Sequence, residues 1–163
     1  MTVAQPEIHT ILKDLSDVSN AGYAIALHVR YTTPTFLFQS YTKDWLDYYS
    51  KNGFVMSDPT VAWGFENTGH IAWSALADKD SAGVLAKAAT FGMVYGLTCA
   101  LEVDESRSIS SFSRADRAFT SEETQQLLAQ TENLHAITAN LDSLSPETSA
   151  ILRTMSVQFT HSR

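Results

Sequence analysis

The stretch from Tyr41 to Pro59 constrains this chain more than any other part of its sequence. Tyr41, Trp45 and Tyr49 recur every four residues, and Tyr48 lies three residues after the tryptophan. Because side chains three and four positions apart are neighbours on a helix, this spacing predicts a helix with one aromatic face. Buried phenol and indole groups need hydrogen-bond partners, so such a face either satisfies them within the fold or offers them to a ligand.

A carboxylate follows this predicted helix after a short turn. Gly53 suits the left-handed position that ends a helix, and Asp58-Pro59 favours a turn that aims the carboxylate back at the aromatic face. Two interpretations fit this arrangement. An aromatic stripe at helical spacing is commonly plain core, although a plain core is more simply built from Phe and Leu. The alternative is a binding site for a neutral ligand that carries both donors and acceptors.

Composition limits the classes of function. A chain of 163 residues with 44% hydrophobic content fits one globular domain. A net charge of −7, with only 11 scattered Lys and Arg residues, argues against a nucleic-acid-binding surface. The single cysteine, Cys99, suits a reducing compartment, and neither a secretory leader nor a run of 18 apolar residues is present. We therefore expect a cytoplasmic protein with no membrane partner.

Catalytic and metal-binding signals are weak. The five histidines lack metal-ligand spacing, and no Gly-x-Ser-x-Gly or His-Glu motif accompanies them. The sequence therefore predicts no enzyme activity and no cofactor, and an enzyme is the least favoured class of function.

The rest of the chain alternates between helical and strand periods. Apolar periodicity predicts helices at 8–18, 82–89 and 121–141, and strands at 23–31, 35–39, 94–103 and 106–114. Asp80 is expected to cap the second of these helices, and Thr120 with Glu123 forms a capping box for the last one. Because antiparallel-looking strand pairs lie between helical segments, we expect an α+β layered domain.

Small and hydroxylated side chains occur on two of these strands. Ala24 and Ala26 would leave space on one face of the first strand, either for a ligand or for a large neighbour such as Phe36 or Phe38. On the last strand Ser108 and Ser110 alternate with Ser111, so either face can offer a hydroxyl to an enclosed ligand. Solvated serines on an edge strand are the other interpretation.

The aromatic and acidic residues also match the pattern of a known family. Its members have a Tyr, then a Trp and a second Tyr at intervals of four, an Asp-Pro pair, a later Trp and a Gly in a central strand. These positions correspond to Tyr41, Trp45, Tyr49, Asp58-Pro59, Trp73 and Gly96, and the phrase GMVYGLTCAL is also similar. From about Ile8 to Leu141 the chain resembles the autoinducer-binding domain of LuxR-type quorum-sensing transcriptional regulators.

The resemblance implies a fold, a ligand and residue roles. The fold is a five-stranded antiparallel sheet between helical layers (α-β-α), and the ligand is an N-acyl homoserine lactone with an acyl or aroyl group. The implied roles are as follows: Trp45 donates to the lactone carbonyl, Asp58 accepts from the amide N–H, Tyr41 donates to the amide carbonyl with help from Ser111, and Tyr49 and Trp73 wall the ligand. A buried carboxylate needs hydrogen bonds, so Asp58 is expected also to accept from Thr60.

The resemblance also divides the chain. Residues 1–141 correspond to the autoinducer-binding domain, and 142–163 to a linker and the possible start of a helix-turn-helix domain that is absent from this chain. DNA binding is therefore expected only through such an additional domain. The alternatives are a signal-independent dimerisation module and a short-form regulator that acts on a full-length partner without binding DNA.

A homodimer is the expected assembly. Leu127, Leu134 and Leu141 recur every seven residues along the last predicted helix and form a stripe that a second copy of the chain would cover. The alternative is that this stripe packs wholly on the chain's own sheet.

Overall fold

A five-stranded antiparallel sheet organises the chain in the computed structural model, which describes residues 4–31 and 33–139. Its elements, in chain order, are α1 Ala4–Val18, β1 Gly22–Arg30, β2 Thr33–Gln39, α2 Lys43–Lys51, α3 Pro59–Glu66, β3 Gly69–Ala72, α4 Val84–Thr90, β4 Tyr95–Val103, β5 Ser106–Arg114 and α5 Ser121–Ala139. Short 3₁₀ turns occupy Phe54–Met56 and Trp73–Lys79. The strand order is β2-β1-β5-β4-β3, so the α+β class is confirmed and β5 is the central strand.

One face of the sheet packs against α1 and α5. Tyr23, Ile25 and Leu27 alternate along β1 toward this side, and each is at most 1% exposed. Leu127 of α5 and Leu12 of α1 join the same core and are fully buried. Alternation along β1 therefore places the largest apolar side chains of this strand under the two long helices.

The leucine stripe of α5 does not face a second chain. Leu127 and Leu134 are both 0% exposed and belong to the chain's own core, so the expectation that they form a dimer interface is wrong. The physical reason is that α5 lies across one face of the sheet, and the whole width of its apolar stripe is used to cover that face. Leu141, like the predicted linker at 142–163, lies outside the described residues.

The opposite face of the sheet is covered by α2, α3, α4 and the 3₁₀ turn at Trp73. Ala24 packs on this side, whereas its neighbour Ile25 pairs with Phe38 and faces the other core. Phe36 also lies in the core beneath α1 and α5. Neither phenylalanine therefore fills the space beside Ala24, which instead packs against the cluster that contains Tyr41 and Trp45.

The capping predictions are confirmed. Gly53 has φ +59° after α2, and the carboxylate of Asp80 accepts the backbone N–H of Val84 at 2.7 Å at the start of α4. Thr120 and Glu123 exchange the two hydrogen bonds of a capping box at 3.1 and 2.9 Å. The side chains of Asp80 and Thr120 thus accept hydrogen bonds from backbone N–H groups that have no partner within their own helices.

Two elements were missed by sequence reasoning. The helix α3 and the strand β3 fall between Pro59 and Ala72, where apolar periodicity is weak. Asp58 caps α3 and Pro59 occupies its first turn, which is the local signal that predicts a helix start. With eight and four residues, these elements are too short for a clear period, so their tertiary contacts determine them.

The serines of β5 do not lie on a solvated edge. Ser108 and Ser110 are 0% exposed and face α5, where Ser110 bonds to Thr131 at 2.9 Å. Ser111 points to the opposite face.

None of the helices in the described ranges, 4–31 and 33–139, has the length and apolar character of a membrane span.

Candidate ligand-binding site

Asp58 is the polar centre of the candidate site. Its Oδ1 accepts the backbone N–H of Thr60 at 2.9 Å and the Thr60 hydroxyl at 2.7 Å. Its Oδ2 accepts the hydroxyl of Tyr49 at 2.8 Å. The predicted contact between Asp58 and Thr60 is therefore present, and it is made because the aspartate is the N-cap residue of α3.

Two tyrosine hydroxyls near this carboxylate are held in the protonated form. Burial, followed by the negative charge of Asp58 and the hydrogen bond to it, raises the pKa of Tyr49 far above its ordinary value. Burial and the same charge raise the pKa of Tyr41. Both phenols therefore act as hydrogen-bond donors at neutral pH.

Trp45 lies in the middle of an aromatic cluster. Its ring centroid is 5.8 Å from that of Tyr49, 6.2 Å from that of Phe54 and 5.2 Å from that of Phe91. The predicted aromatic face of α2 is therefore confirmed for Trp45 and Tyr49. Sequence reasoning missed Phe54 and Phe91, because the first follows the end of α2 and the second comes from the end of α4.

Tyr41 lies two residues before the start of α2, and its ring reaches the site by packing on β1. An added Cβ at Gly22 would come within 2.6 Å of Tyr41 Cδ1, so the ring needs a residue without a side chain beneath it. The side chains of Tyr41 and Trp45 are only 7% and 4% exposed, and neither makes a hydrogen bond to a residue that the structure describes. Two donors on largely covered side chains, a phenol and an indole, thus lie on the same side of the sheet as Asp58, and neither donor atom is itself fully buried.

The second tryptophan is fixed by a chain of hydroxyls. Trp73 Nε1 donates to Thr98 Oγ1 at 3.0 Å, and that oxygen lies 2.7 Å from Ser111 Oγ. The indole covers Gly96, where a Cβ would lie 1.8 Å from Trp73 Cδ2. Thr98 is a site residue that sequence reasoning missed. Its signal is its position two residues after Gly96 on β4, which places both residues on one face.

The structure brings the predicted residues to one face of the sheet. Tyr41, Trp45 and Trp73 share a buried cluster against which Tyr49 packs. Asp58 and Thr60 join this cluster through Tyr49, and Ser111 joins it through Thr98 and Trp73. The arrangement offers donors and one carboxylate within an apolar enclosure, which suits a neutral amphipathic ligand.

His28 does not belong to this group, although regular alternation along β1 would place it on the same face as Ala24 and Ala26. A bulge in β1, with φ +52° at His28, turns its ring to the α5 side of the sheet. There Nε2 lies 2.9 Å from the carbonyl oxygen of His135, and the two imidazole centroids are 4.1 Å apart. His28 therefore lies outside the candidate site.

Two clefts of the described structure are not lined by Asp58. One, of about 810 Å³, lies beside His28 and His135 at the end of α5. The other, of about 830 Å³, lies at the sheet edge and is bordered by Trp73 and Gly96. Among the residues at 4–31 and 33–139, no group of three or more His, Cys, Asp or Glu side chains is placed to hold a metal ion.

Comparison with known proteins agrees with the sequence pattern. Residues 7–141 match the family model described as the autoinducer binding domain. The transcriptional activator protein SolR of Ralstonia nicotianae is 28% identical over 123 residues, which cover 71% of this chain and 52% of SolR. The chain thus spans about half the length of this curated relative.

Solved structures with the same fold include regulators of this type. A crystal structure of Escherichia coli SdiA superimposes with a TM-score of 0.63 and 22% identity, over 88% of this chain and 64% of SdiA. SdiA in complex with octanoyl-rac-glycerol gives a TM-score of 0.61 and 20% identity, over 87% of this chain and 62% of that protein. CepR2 from Burkholderia cenocepacia, an N-acylhomoserine lactone dependent LuxR family transcription factor, gives 0.54 and 18%, over 81% and 91% of the two chains. The match over residues 7–141 shows that this chain belongs to the autoinducer-binding domain family of LuxR-type quorum-sensing regulators.

Proposed function

We propose that this domain is the signal sensor of a quorum-sensing transcriptional regulator and that it encloses an N-acyl homoserine lactone between the sheet and the layer of α2 and α3. The observation that carries the proposal is a pair of donors near Asp58, the Tyr41 hydroxyl and the Trp45 indole, whose residues are only 7% and 4% exposed. Neither donor bonds to another described residue, and neither atom is fully sealed from solvent, so both are available to a ligand. A ligand that covered them without accepting their hydrogen bonds would bind weakly.

The polar groups match the ligand in number and type. The head group of an acyl homoserine lactone carries a lactone carbonyl, an amide carbonyl and one amide N–H. Tyr41 and Trp45 supply one donor for each carbonyl. Asp58 has about four acceptor positions, and three are occupied by Thr60 and Tyr49. One position is left for the amide N–H.

Each residue receives a role on this basis. The Trp45 indole donates to the lactone carbonyl, the Tyr41 hydroxyl donates to the amide carbonyl, and Asp58 accepts from the amide N–H. Ser111 assists at the amide carbonyl, because its hydroxyl lies at the end of the chain that begins at Trp73. An amide N–H that bonds to a carboxylate forms a charge-assisted bond, which is stronger than a neutral one.

The remaining residues shape the enclosure. Thr60 holds the Asp58 carboxylate, while Tyr49 and Trp73 wall the lactone ring and the start of the tail. Ala24 and Ala26 on β1 leave room for the acyl or aroyl group, because their small side chains lie on the face that the site occupies. Larger residues at these two positions are expected to favour shorter tails.

Isothermal titration calorimetry with acyl and aroyl homoserine lactones tests the proposal. We expect saturable binding by the wild type and a loss of about 1.5–3 kcal/mol in Asp58→Asn, because the charge-assisted bond is lost. Asp44→Asn, in the exposed first turn of α2, is the matched control and should bind as the wild type does. Equal affinities for wild type and Asp58→Asn would contradict the role of the carboxylate.

A second ligand class belongs in the same titration. SdiA, which shares the fold, is known in complex with octanoyl-rac-glycerol. That ligand has an ester in place of the amide, so it offers hydroxyl groups but no N–H to Asp58. Tighter binding of octanoyl glycerol than of any lactone would replace the proposed ligand while retaining the sensor function.

The same proposal covers the complete regulator. We infer that residues 1–141 form the sensor, that 142–163 lead to a helix-turn-helix domain, and that DNA binding belongs to that domain. The net charge of −7 supports this division. We further propose that the domain is not an enzyme and works in the cytoplasm as a homodimer, whose interface does not use Leu127 and Leu134 because the chain itself buries them.

A further inference from the structure

Arg107 of β5 binds the end of α3 that lies opposite Asp58. Its Nη1 donates to the carbonyl oxygens of Gly64 and Asn67 at 2.7 and 2.6 Å. Its Nη2 donates to Glu102 Oε1 on the neighbouring strand at 2.8 Å. The side chain of Arg107 is only 19% exposed, so these bonds are partly shielded from water. The guanidinium thus joins α3 to two strands of the sheet.

The bonded carbonyls explain why a cation lies there. The last carbonyls of a helix have no partner within it and carry its negative partial charge. In α3 the Trp63 carbonyl accepts from the backbone N–H of Asn67 at 2.9 Å, while the next carbonyl, that of Gly64, is bound by Arg107. The arginine therefore completes the C-terminal end of this eight-residue helix.

A second contact fixes the same end of α3. A Cβ at Gly64 would come within 2.7 Å of Ile109 Cγ2, so the absence of a side chain lets the helix backbone lie directly on β5. Arg107, Ile109 and Ser111 are alternate residues of β5 and share one face. The strand that holds α3 thus also carries the site hydroxyl of Ser111.

Asp58 lies at the N-terminal end of α3, opposite the end that Arg107 binds. Gly64 is six positions further along the chain, which at 1.5 Å per residue is about 9 Å along the helix. Because the Asp58 carboxylate caps α3 through Thr60, it moves with the helix axis. We propose that Arg107 is a positioning residue for signal binding: it holds α3 on β5 so that the Asp58 carboxylate stays within reach of a ligand amide held against Ser111. This inference rests on the proposed function.

Binding measurements on Arg107 variants test the proposal. In Arg107→Met the donors are removed and the stem is kept, so affinity for an acyl homoserine lactone should fall by about tenfold, which corresponds to 1.4 kcal/mol. Arg107→Lys can still bind one carbonyl and should lose less. The matched control is Arg117→Met, which removes a guanidinium that bonds to the Ala118 carbonyl and Glu123 away from α3, and it should bind as the wild type does.

A double-mutant cycle separates positioning from general damage. If Arg107 acts through the carboxylate, Arg107→Met should have little further effect in an Asp58→Asn background. In the free protein, the NMR resonance of the Thr60 amide, which donates to Asp58, should move in Arg107→Met but not in Arg117→Met. Where Arg107→Met does not fold, the Lys variant provides the same comparison.

The outcomes are distinguishable. If the wild type binds lactone but the losses from the Arg107 and Asp58 variants are additive and the Thr60 resonance does not move, the positioning role is overturned and the sensor function stands. If the wild type binds no lactone, the positioning role and the sensor function are both overturned. Non-additive losses with a shifted Thr60 resonance support the positioning role and the sensor function together.

Discussion

The hydroxyl of Tyr49 donates a 2.8 Å hydrogen bond to Oδ2 of Asp58, which ties α2 to the residue that caps α3. In Tyr49→Phe this bond is removed while the ring is kept. We expect a decrease of about 1.5–3 kcal/mol in the free energy of unfolding, as for other bonds to charged groups. Urea denaturation measures this decrease in the free energy of unfolding. Tyr95→Phe, at an exposed position, should leave stability unchanged, and equal stability of both variants would show that the bond contributes nothing.

The indole donor of Trp45 is tested by replacing it with an apolar ring. Trp45→Phe keeps much of the packing against Tyr49 and Phe91 but removes the N–H. Lactone affinity should fall by about 0.5–1.5 kcal/mol beyond any change in stability. Calorimetry compares this variant with Trp63→Phe, which changes a half-buried tryptophan of α3 that does not belong to the aromatic cluster around Trp45. An equal loss of lactone affinity in the two variants would contradict the role of Trp45 as the donor to the lactone carbonyl.

The closeness of Trp73 to Gly96 predicts a strong effect of one methyl group. In Gly96→Ala the new Cβ would lie 1.8 Å from Trp73 Cδ2, so the indole must move and lose its bond to Thr98. Overpacking of this kind costs about 1–3 kcal/mol in unfolding free energy. Adding Trp73→Phe should recover part of this loss in urea denaturation. Wild-type stability in the alanine variant would contradict the close approach.

His135 predicts a pH dependence of stability. Burial, followed by the neighbouring His28, lowers its pKa to about 4, while Asp104 acts in the opposite direction. Since the folded protein binds the proton less readily than the unfolded chain, the contribution of neutral His135 is complete above about pH 6.5. It is lost progressively as the pH falls toward 4.

Urea midpoints at pH 7 and pH 5 measure this effect. The difference between the two midpoints should shrink in His135→Gln and persist in His70→Gln, whose side chain is exposed. Glu123 does not interfere, because its hydrogen bond to Arg117 lowers its pKa to about 2 and places its titration below this window. An unchanged pH dependence in His135→Gln would assign the effect to other groups.

Local sequence signals predicted the layers of the fold and several residues that the structure brings together in the candidate site. The spacing of Trp45, Tyr48 and Tyr49 predicted the aromatic face of α2, and the Asp58-Pro59 pair predicted the direction of the carboxylate. The prediction that Tyr41 lies on the same helix is wrong, because Thr42 caps α2 and Tyr41 precedes the cap. Capping residues located helix starts, because a cap acts on donors within the same few residues. These signals are local, so a single sequence contains them.

The parts that sequence reasoning missed depend on contacts between distant residues. Alternation placed His28 beside Ala26, but a bulge turned it to the α5 side. The α5 leucines fit either a second chain or the chain's own sheet, and only tertiary packing decides between the two. Thr98 became a site residue because Trp73, 25 positions away, bonds to it.

Ligand-dependent thermal unfolding tests the central claim, that this domain encloses an acyl homoserine lactone, most directly. At a lactone concentration of about a hundred times the dissociation constant, stability should rise by about 2.7 kcal/mol. For a chain of this size the melting temperature should then rise by about 5–10 °C, and Asp58→Asn should show a much smaller rise at the same concentration. A panel of acyl and aroyl homoserine lactones that leaves the wild-type melting temperature unchanged at every concentration would contradict the account.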